Sequence, residues 1–124
     1  MNLVDSSGWL EYLADTKNAD NFAAAIENTE ELVVSTINIY EVYKKILKER
    51  GEGIAIEVVG LMQQAQVVGF DSSLAMDAAK LGVEKGIPMA DSIIYVTAVV
   101  SGATLWTQDS DFQGLPGVKY YPKK

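Results

Sequence analysis

Residues 32–37, LVVSTI, form a run dominated by apolar and β-branched side chains, with no charge. Such a run, without polar alternation, is typical of a strand buried on both faces of a parallel sheet. A strand of this kind needs helices on both faces, and the chain supplies segments of helical period between its short apolar runs. The pattern predicts an α/β fold: a three-layer α/β/α arrangement around a mostly parallel sheet of roughly five strands.

The same alternation extends over all 124 residues and predicts one domain, 1–124. Predicted strands cover residues 2–5, 32–37, 66–70, 103–107 and 118–121; predicted helices cover a short segment around Trp9 and residues 20–27, 38–50, 54–64, 72–85 and 89–101. Asn38 is predicted to cap its helix, with Glu41 as the reciprocal partner in a capping box. Asp71 or Ser72 is predicted to cap the helix that ends at Lys85.

The chain contains neither cysteine nor histidine. This excludes disulfides, thiol nucleophiles, a Ser-His-Asp triad and Cys- or His-based zinc sites. Catalysis would have to use carboxylates, lysines, hydroxyls or a bound cofactor. The formal net charge of −7 also argues against simple electrostatic binding of nucleic acid.

The start of the chain and its longest uncharged run predict a cytoplasmic protein without a membrane partner. The start, MNLVD, lacks the basic region of a signal peptide. The longest uncharged run, residues 92–108, is shorter than the ~20 apolar residues of a spanning helix and is interrupted by Gly102.

Acidic residues stand at or just beyond the ends of three predicted strands: Asp5, Glu41 and Asp109. Asp5 and Asp109 also suit turns or helix starts, while Glu41 suits a helical ion pair with Lys45. The carboxyl ends of parallel strands meet at one edge of a sheet, where sites of such folds form. We therefore expect these three carboxylates to lie along one edge.

Asp91 lies in the first turn of a predicted helix, with apolar neighbours at Ile94, Tyr95 and Ala98. The helix dipole favours an anion there by only ~0.3–1 kcal/mol, whereas desolvation of an unpaired carboxylate costs several kcal/mol. A metal or a nearby cation would compensate. Because this helix leads into the fourth strand, Asp91 can reach the same edge.

Asp109 and Asp111 supply two carboxylates where a turn needs one, although an Asp-x-Asp-Phe string alone is weak support for a site. Four converging carboxylates would repel one another, and some would stay protonated without a counter-ion. A divalent cation resolves the conflict, and oxygen ligands favour Mg²⁺ or Mn²⁺.

The order and spacing of these segments resemble the PIN domain family, most closely the VapC-type toxins of toxin–antitoxin pairs. The resemblance covers nearly the whole chain and rests on VDSSGWLEYL, INIYEVYKKI, MADSIIYVTAVVSGATLWTQDSDF and LPGVKYY. It implies a PIN-like fold and a metal-dependent ribonuclease. By position it assigns the catalytic and metal-binding acids to Asp5, Glu41, Asp91 and Asp109, with Ser6, Thr107 and Asp111 in support.

The resemblance also implies a mechanism and partners. Mg²⁺ or Mn²⁺ would activate a water that attacks the phosphodiester in line, giving 5′-phosphate and 3′-hydroxyl products. The expected partners are an RNA substrate, a second copy of the chain in a homodimer, and a cognate antitoxin. The antitoxin is expected to cover the site and the first helix around Trp9 and Tyr12.

Lys45 and Lys48 fall near the face of Glu41 on the predicted third helix. They are candidates to hold a phosphate that flanks the cleaved bond. A solvated face with ion pairs inside the helix fits the same pattern equally well.

Two alternative functions compete with the nuclease. A response-regulator receiver domain has a similar length and an acidic Mg²⁺ site, with Asp71 as phosphoacceptor and Thr107 and Lys119 as the switch pair. It requires adjacent acids after the first strand, where Asp5 is instead followed by two serines. The other alternative is a PIN fold used only for binding, and the complete set of four acids argues against it.

Overall fold

The computed structural model describes all residues, 1–124, and contains one five-stranded sheet. The strands are β1 (Asn2–Val4), β2 (Leu32–Ser35), β3 (Gln66–Val68), β4 (Thr104–Thr107) and β5 (Val118–Tyr120). Their order is β3-β2-β1-β4-β5, and every neighbouring pair is parallel. The parallel sheet predicted from the alternating pattern is confirmed.

Six helices cover the two faces of this sheet. They are α1 (Ser6–Ala14), α2 (Asp20–Glu27), α3 (Thr36–Arg50), α4 (Glu52–Met62), α5 (Ser72–Lys85) and α6 (Met89–Val100). Short 3₁₀ turns occupy Thr29–Glu31 and Ser110–Phe112. No helix is both long and apolar enough to cross a membrane.

Adjacent side chains of the central strands lie on opposite faces of the sheet, and both faces are covered by core, which explains why β2 lacks polar alternation. Val4 and Val34 pack with side chains from α1 to α4, including the fully buried Phe22. Leu3 and Val33 pack on the opposite face with α6 and the buried Phe112. Side chains on both faces are removed from water, so the sheet forms the middle of three layers.

The start of α3 differs from the prediction. The expected strand over residues 32–37 ends at Ser35, and the helix begins at Thr36. Ser35 forms the N-cap: its Oγ accepts from the Ile37 N–H at 3.1 Å, while Asn38 Oδ1 accepts from the Ser35 N–H at 3.1 Å. Asn38 as the cap, with Glu41 as its capping partner, is therefore wrong; the capping residues lie three positions earlier, which frees Glu41 for another role.

The other differences concern element ends. β3 stops at Val68 instead of residue 70, and α4 covers Glu52–Met62 instead of 54–64. Gly51 has φ of 87°, a conformation that separates α3 from α4 at little steric cost. Of the two candidate caps for α5, Asp71 is the one used, since it accepts from the Leu74 N–H at 2.9 Å.

Candidate active site

The topology brings the predicted acids to one edge of the sheet. Asp5 directly follows β1, Asp109 follows β4, and Glu41 lies on the helix that continues from β2. Helix α6 ends just before β4 begins, so it runs opposite to the strands and its first turn, with Asp91, lies at the carboxyl edge. The charges of Asp109, Asp5, Asp111 and Glu41 all act on Asp91, which places these acids in one electrostatic neighbourhood.

Asp5 is held by hydroxyl groups. It is 4% exposed and accepts from Thr107 Oγ1 at 2.6 Å and from Ser7 Oγ at 2.9 Å. Burial raises the pKa of Asp5, the hydrogen bonds from Thr107 and Ser7 lower it, and the charge of Asp109 raises it further. The carboxylate is thus fixed in position but costly to ionise in the absence of a cation.

Glu41 is oriented by a chain of hydrogen bonds from the start of α3. Ser6 Oγ donates to Glu41 Oε1 at 2.7 Å, and Asn38 Nδ2 donates to Ser6 Oγ at 2.9 Å. Burial raises the pKa of Glu41, the bond from Ser6 lowers it, and the charge of Asp5 raises it. Because the fully buried Asn38 supplies a proton to the Ser6 oxygen, the Ser6 hydrogen is left to point at Glu41.

Asp91, Asp109 and Asp111 form the closest group of acids. Each offers a carboxylate oxygen, and these oxygens lie within 4.8 Å of one another. Burial, followed by the charges of Asp109 and Asp5, raises the pKa of Asp91 to about 7. Burial and the neighbouring carboxylates disfavour the charged form of Asp91, and a positive ion between these carboxylates would relieve their repulsion.

The turn after β4 uses its aspartates for structure as well as charge. Asp109 caps the short 3₁₀ turn by accepting from the Asp111 N–H at 2.9 Å. Thr107 Oγ1 accepts from the Asp109 N–H at 2.9 Å while donating to Asp5. One carboxylate oxygen can cap a turn while the other faces the acidic group, so capping and metal binding are compatible at Asp109.

The geometry changes which of the predicted acids lie closest to one another. Asp111, expected to support the site, belongs to the close group of three, whereas Asp5 and Glu41 are outside it and contribute through their charge. Carboxylate oxygens are the donors that Mg²⁺ and Mn²⁺ prefer, and repulsion among them is what such an ion would relieve. The residues present therefore fit a hard divalent cation.

The predicted phosphate-binding lysines do not join this group. Lys45 forms an ion pair with Glu49 at 3.0 Å and not with Glu41, and both side chains are about half exposed. Lys48 is exposed near the end of α3 and has no ion pair. Their role in substrate binding remains a prediction.

The residues of the receiver-domain alternative have other partners. Thr107 is bound to Asp5, and Lys119 Nζ lies 4.3 Å from the centre of the Trp106 ring. Asp71 caps α5 in an exposed position. The structure does not favour a phosphoacceptor site built on these residues.

Sequence reasoning missed a buried amide pair beside the site. Asn18 Nδ2 donates to Gln108 Oε1 at 2.7 Å, and Gln108 Nε2 donates to Glu11 Oε1 at 3.2 Å. Gln108 directly precedes Asp109, so this network ties the acidic turn to α1 and to the start of α2. The partners are far apart along the chain, and no local pattern indicates them.

Thr107→Val should weaken Mn²⁺ binding by roughly 10–100-fold, because residues that orient metal-binding carboxylates typically contribute this much. It should also destabilise the fold by ~1–3 kcal/mol by leaving Asp5 and the Asp109 N–H with unpaired polar groups. Calorimetric titration with Mn²⁺ and a denaturant melt measure the two effects. Thr107→Ser, which keeps the hydroxyl, is the control; equal Mn²⁺ affinity in both variants would contradict the orienting role.

The comparisons with known proteins agree with this geometry. A family model described as "PIN domain" matches residues 3–118. The chain is 29% identical over 125 aligned positions to "Ribonuclease VapC4" of Mycobacterium tuberculosis, and the alignment covers 94% of this chain and 92% of the relative.

Solved structures share the fold over nearly the whole chain. One is a "Toxin-antitoxin complex from Klebsiella pneumoniae", with a TM-score of 0.83, 22% identity, and coverage of 99% of this chain and 100% of that one. Another is Mycobacterium tuberculosis VapC20, described as a "Sarcin-Ricin loop cleaving toxin", with a TM-score of 0.77, 16% identity, and coverage of 98% and 100%. At these identities the structural likeness shows the fold alone.

Proposed function

The chain belongs to the PIN domain family, and on that premise we propose that it is a metal-dependent endoribonuclease acting as the toxin of a toxin–antitoxin pair. The observation that carries the proposal is the group formed by Asp91, Asp109 and Asp111 at the carboxyl edge of the sheet. Similarity to a protein named as a ribonuclease, over 94% of this chain, supports the reaction class. The toxin role is proposed from the match to the relative named VapC4, and the chain shares its fold with a chain of a toxin–antitoxin complex.

Asp91, Asp109 and Asp111 would hold Mg²⁺ or Mn²⁺, with Asp5 and Glu41 completing the negative field. When bound, the ion supplies two effects: it lowers the pKa of a water and stabilises negative charge on the phosphate. Thr107 and Ser6 fix Asp5 and Glu41 in place before substrate arrives. The chain has no histidine, so carboxylates are the groups at the site that can accept the proton released in hydrolysis.

Metal-dependent cleavage of single-stranded RNA is the direct test. The purified chain should cut RNA with Mg²⁺ or Mn²⁺, stop in excess EDTA, and recover when the metal is restored, leaving 5′-phosphate and 3′-hydroxyl ends. End-labelled substrates resolved by electrophoresis report both the rate and the end chemistry. Cleavage that proceeds equally well in excess EDTA would show that the mechanism is wrong.

A cognate antitoxin is proposed to silence the chain by covering this site. The structure changes one detail of the expected surface, because Trp9 is 1% exposed and belongs to the core. Tyr12 is partly accessible and donates a hydrogen bond to Glu27 at 2.9 Å. The homodimer remains a prediction, which light scattering of the purified chain would test.

A further inference from the structure

A polar cavity of about 430 Å³ lies directly beside the acidic group. It is lined by Ser7, Gln108, Asp109, Ser110, Tyr120 and Lys123. These residues come from the start of α1, the turn after β4, the end of β5 and the C-terminal tail. The volume lies within the range of small-ligand sites in proteins, and the lining differs from them in being mostly polar.

The sheet itself brings the tail to this cavity. β5 runs parallel to β4, and the Tyr121 N–H donates to the Thr107 carbonyl at 2.8 Å, just beyond the strand. The chain therefore leaves β5 at the edge where the acids converge. Lys123 is carried there by backbone pairing, two residues after the last tethered amide.

Several groups lining the cavity have no partner within the protein. Lys123 forms no ion pair, although ten Lys and Arg residues share the chain with seventeen acids. The hydroxyls of Ser110 and Tyr120 make no hydrogen bond to another residue, unlike those of Tyr12 and Tyr95. Gln108 is held by Asn18 and Glu11 through one acceptor and one donor of its amide, so its side chain is fixed in position.

These groups are complementary to the phosphate and ribose oxygens that an RNA strand would place next to the cleaved bond. A polyanion that approaches five carboxylates is repelled unless a cation holds a neighbouring phosphate. Lys123 is the cation in the cavity that also contains Asp109, and the two free hydroxyls are further donors to phosphate or ribose oxygens.

We propose that this cavity is a subsite for the nucleotide that flanks the cleaved phosphodiester of single-stranded RNA. Lys123 pairs with the flanking phosphate, and the hydroxyls of Tyr120 and Ser110 donate to its phosphate or ribose oxygens. The assignment rests on the proposed ribonuclease function and names the residues by which this acidic chain engages its substrate.

Lys123→Gln should raise KM for RNA roughly tenfold, as expected for loss of a charge-assisted hydrogen bond, while kcat changes little. The slope of log affinity against log salt should also become shallower by about 0.7, the value for one phosphate contact on a single strand. Lys80→Gln, the same charge change on the exposed face of α5, is the matched control and should alter neither quantity. Tyr120→Phe should raise KM by a smaller factor.

Affinity is measured by fluorescence anisotropy with a labelled single-stranded oligoribonucleotide and Mn²⁺, in a background carrying Asp91→Asn so that the probe stays intact. If wild type cleaves RNA but Lys123→Gln has the same affinity and salt slope as Lys80→Gln, the proposed subsite is overturned while the proposed ribonuclease function stands. If wild type fails to cleave, the ribonuclease proposal fails and the subsite beside a cleaved bond fails with it; weaker binding by Lys123→Gln would then show only that Lys123 contacts RNA.

Discussion

Asp91→Asn is expected to lower kcat/KM for RNA cleavage at least 100-fold. Loss of residues that merely orient a metal ligand typically costs 10–100-fold, so loss of a ligand itself should cost no less. Asp91 is half-buried and its carboxylate lies within 4.8 Å of those of Asp109 and Asp111. The asparagine keeps the size of the side chain but removes the charge that would hold the ion. Initial rates over a range of Mn²⁺ concentrations measure the effect.

Asp77→Asn is the matched control for this substitution, because Asp77 is an exposed acid on α5 outside the acidic group. It should leave the rate unchanged. Both variants should melt cooperatively, which separates loss of chemistry from loss of fold. Cleavage by Asp91→Asn at the rate of Asp77→Asn would remove Asp91 from the catalytic group and return it to the role of a helix-start acid.

The convergence of the acids could be predicted because it follows from topology. Alternating strands and helices imply a parallel sheet, and a parallel sheet places all its carboxyl ends at one edge. Asp5 and Asp109 follow strands and Glu41 follows β2 through its helix, so their meeting needs no knowledge of side-chain geometry. The place of Asp91 follows in the same way from the direction of α6.

The roles of Asn38 and Glu41 were harder to predict, since they depend on where one helix begins. An N-cap at Ser35 instead of Asn38 makes Asn38 the third helical residue, where its side chain can bond both the Ser35 N–H and Ser6. Residues 35–37 suit a strand by their composition, and the reciprocal capping bonds decide otherwise. Element boundaries are set by such local competition, which periodicity does not resolve.

The contacts around the acidic turn could not be predicted from any local sequence pattern. Gln108 binds Asn18 across ninety positions of sequence, and the pairing of β5 with β4 places Lys123 in the same cavity as Asp109. Asp111 joins the close group because a 3₁₀ turn follows Asp109 and brings the two carboxylates together. An extended continuation of β4 would instead carry the chain away from the sheet edge by ~3.3 Å per residue.

The repulsion within the acidic group should be visible in the stability of the metal-free protein. The pKa of Asp91 is about 7 in the fold, against 3.8 as its ordinary value, so the folded state binds the proton more tightly than the unfolded chain. Below pH ~4 Asp91 is protonated in both the folded and the unfolded state, and the fold has no repulsion from its charge. As pH rises through about 7, Asp91 ionises in the folded state and this stability is lost. In EDTA, this group therefore makes the protein less stable at pH 8 than at pH 5.

Asp109→Asn should raise the melting temperature in EDTA, and by more at pH 8 than at pH 5, because the charge of Asp109 raises the pKa of Asp91 more than any other charge does. The asparagine oxygen can still accept from the Asp111 N–H, so the turn keeps its cap. The same change should remove most of the stabilisation by Mn²⁺, which for wild type is about 2.7 kcal/mol at a hundredfold excess over Kd. Thermal melts with EDTA and with Mn²⁺, at both pH values, measure all three effects.

Asp71→Asn is the matched control, since Asp71 caps α5 by accepting from the Leu74 N–H at 2.9 Å and asparagine caps nearly as well. It should neither raise the melting temperature in EDTA nor reduce the Mn²⁺ shift. If Asp109→Asn behaves like Asp71→Asn, the carboxylate of Asp109 acts only as a turn cap, and the ion must be held by the other acids. A gain at pH 8 together with a lost Mn²⁺ shift would instead show that the fold carries this repulsion in order to bind a cation.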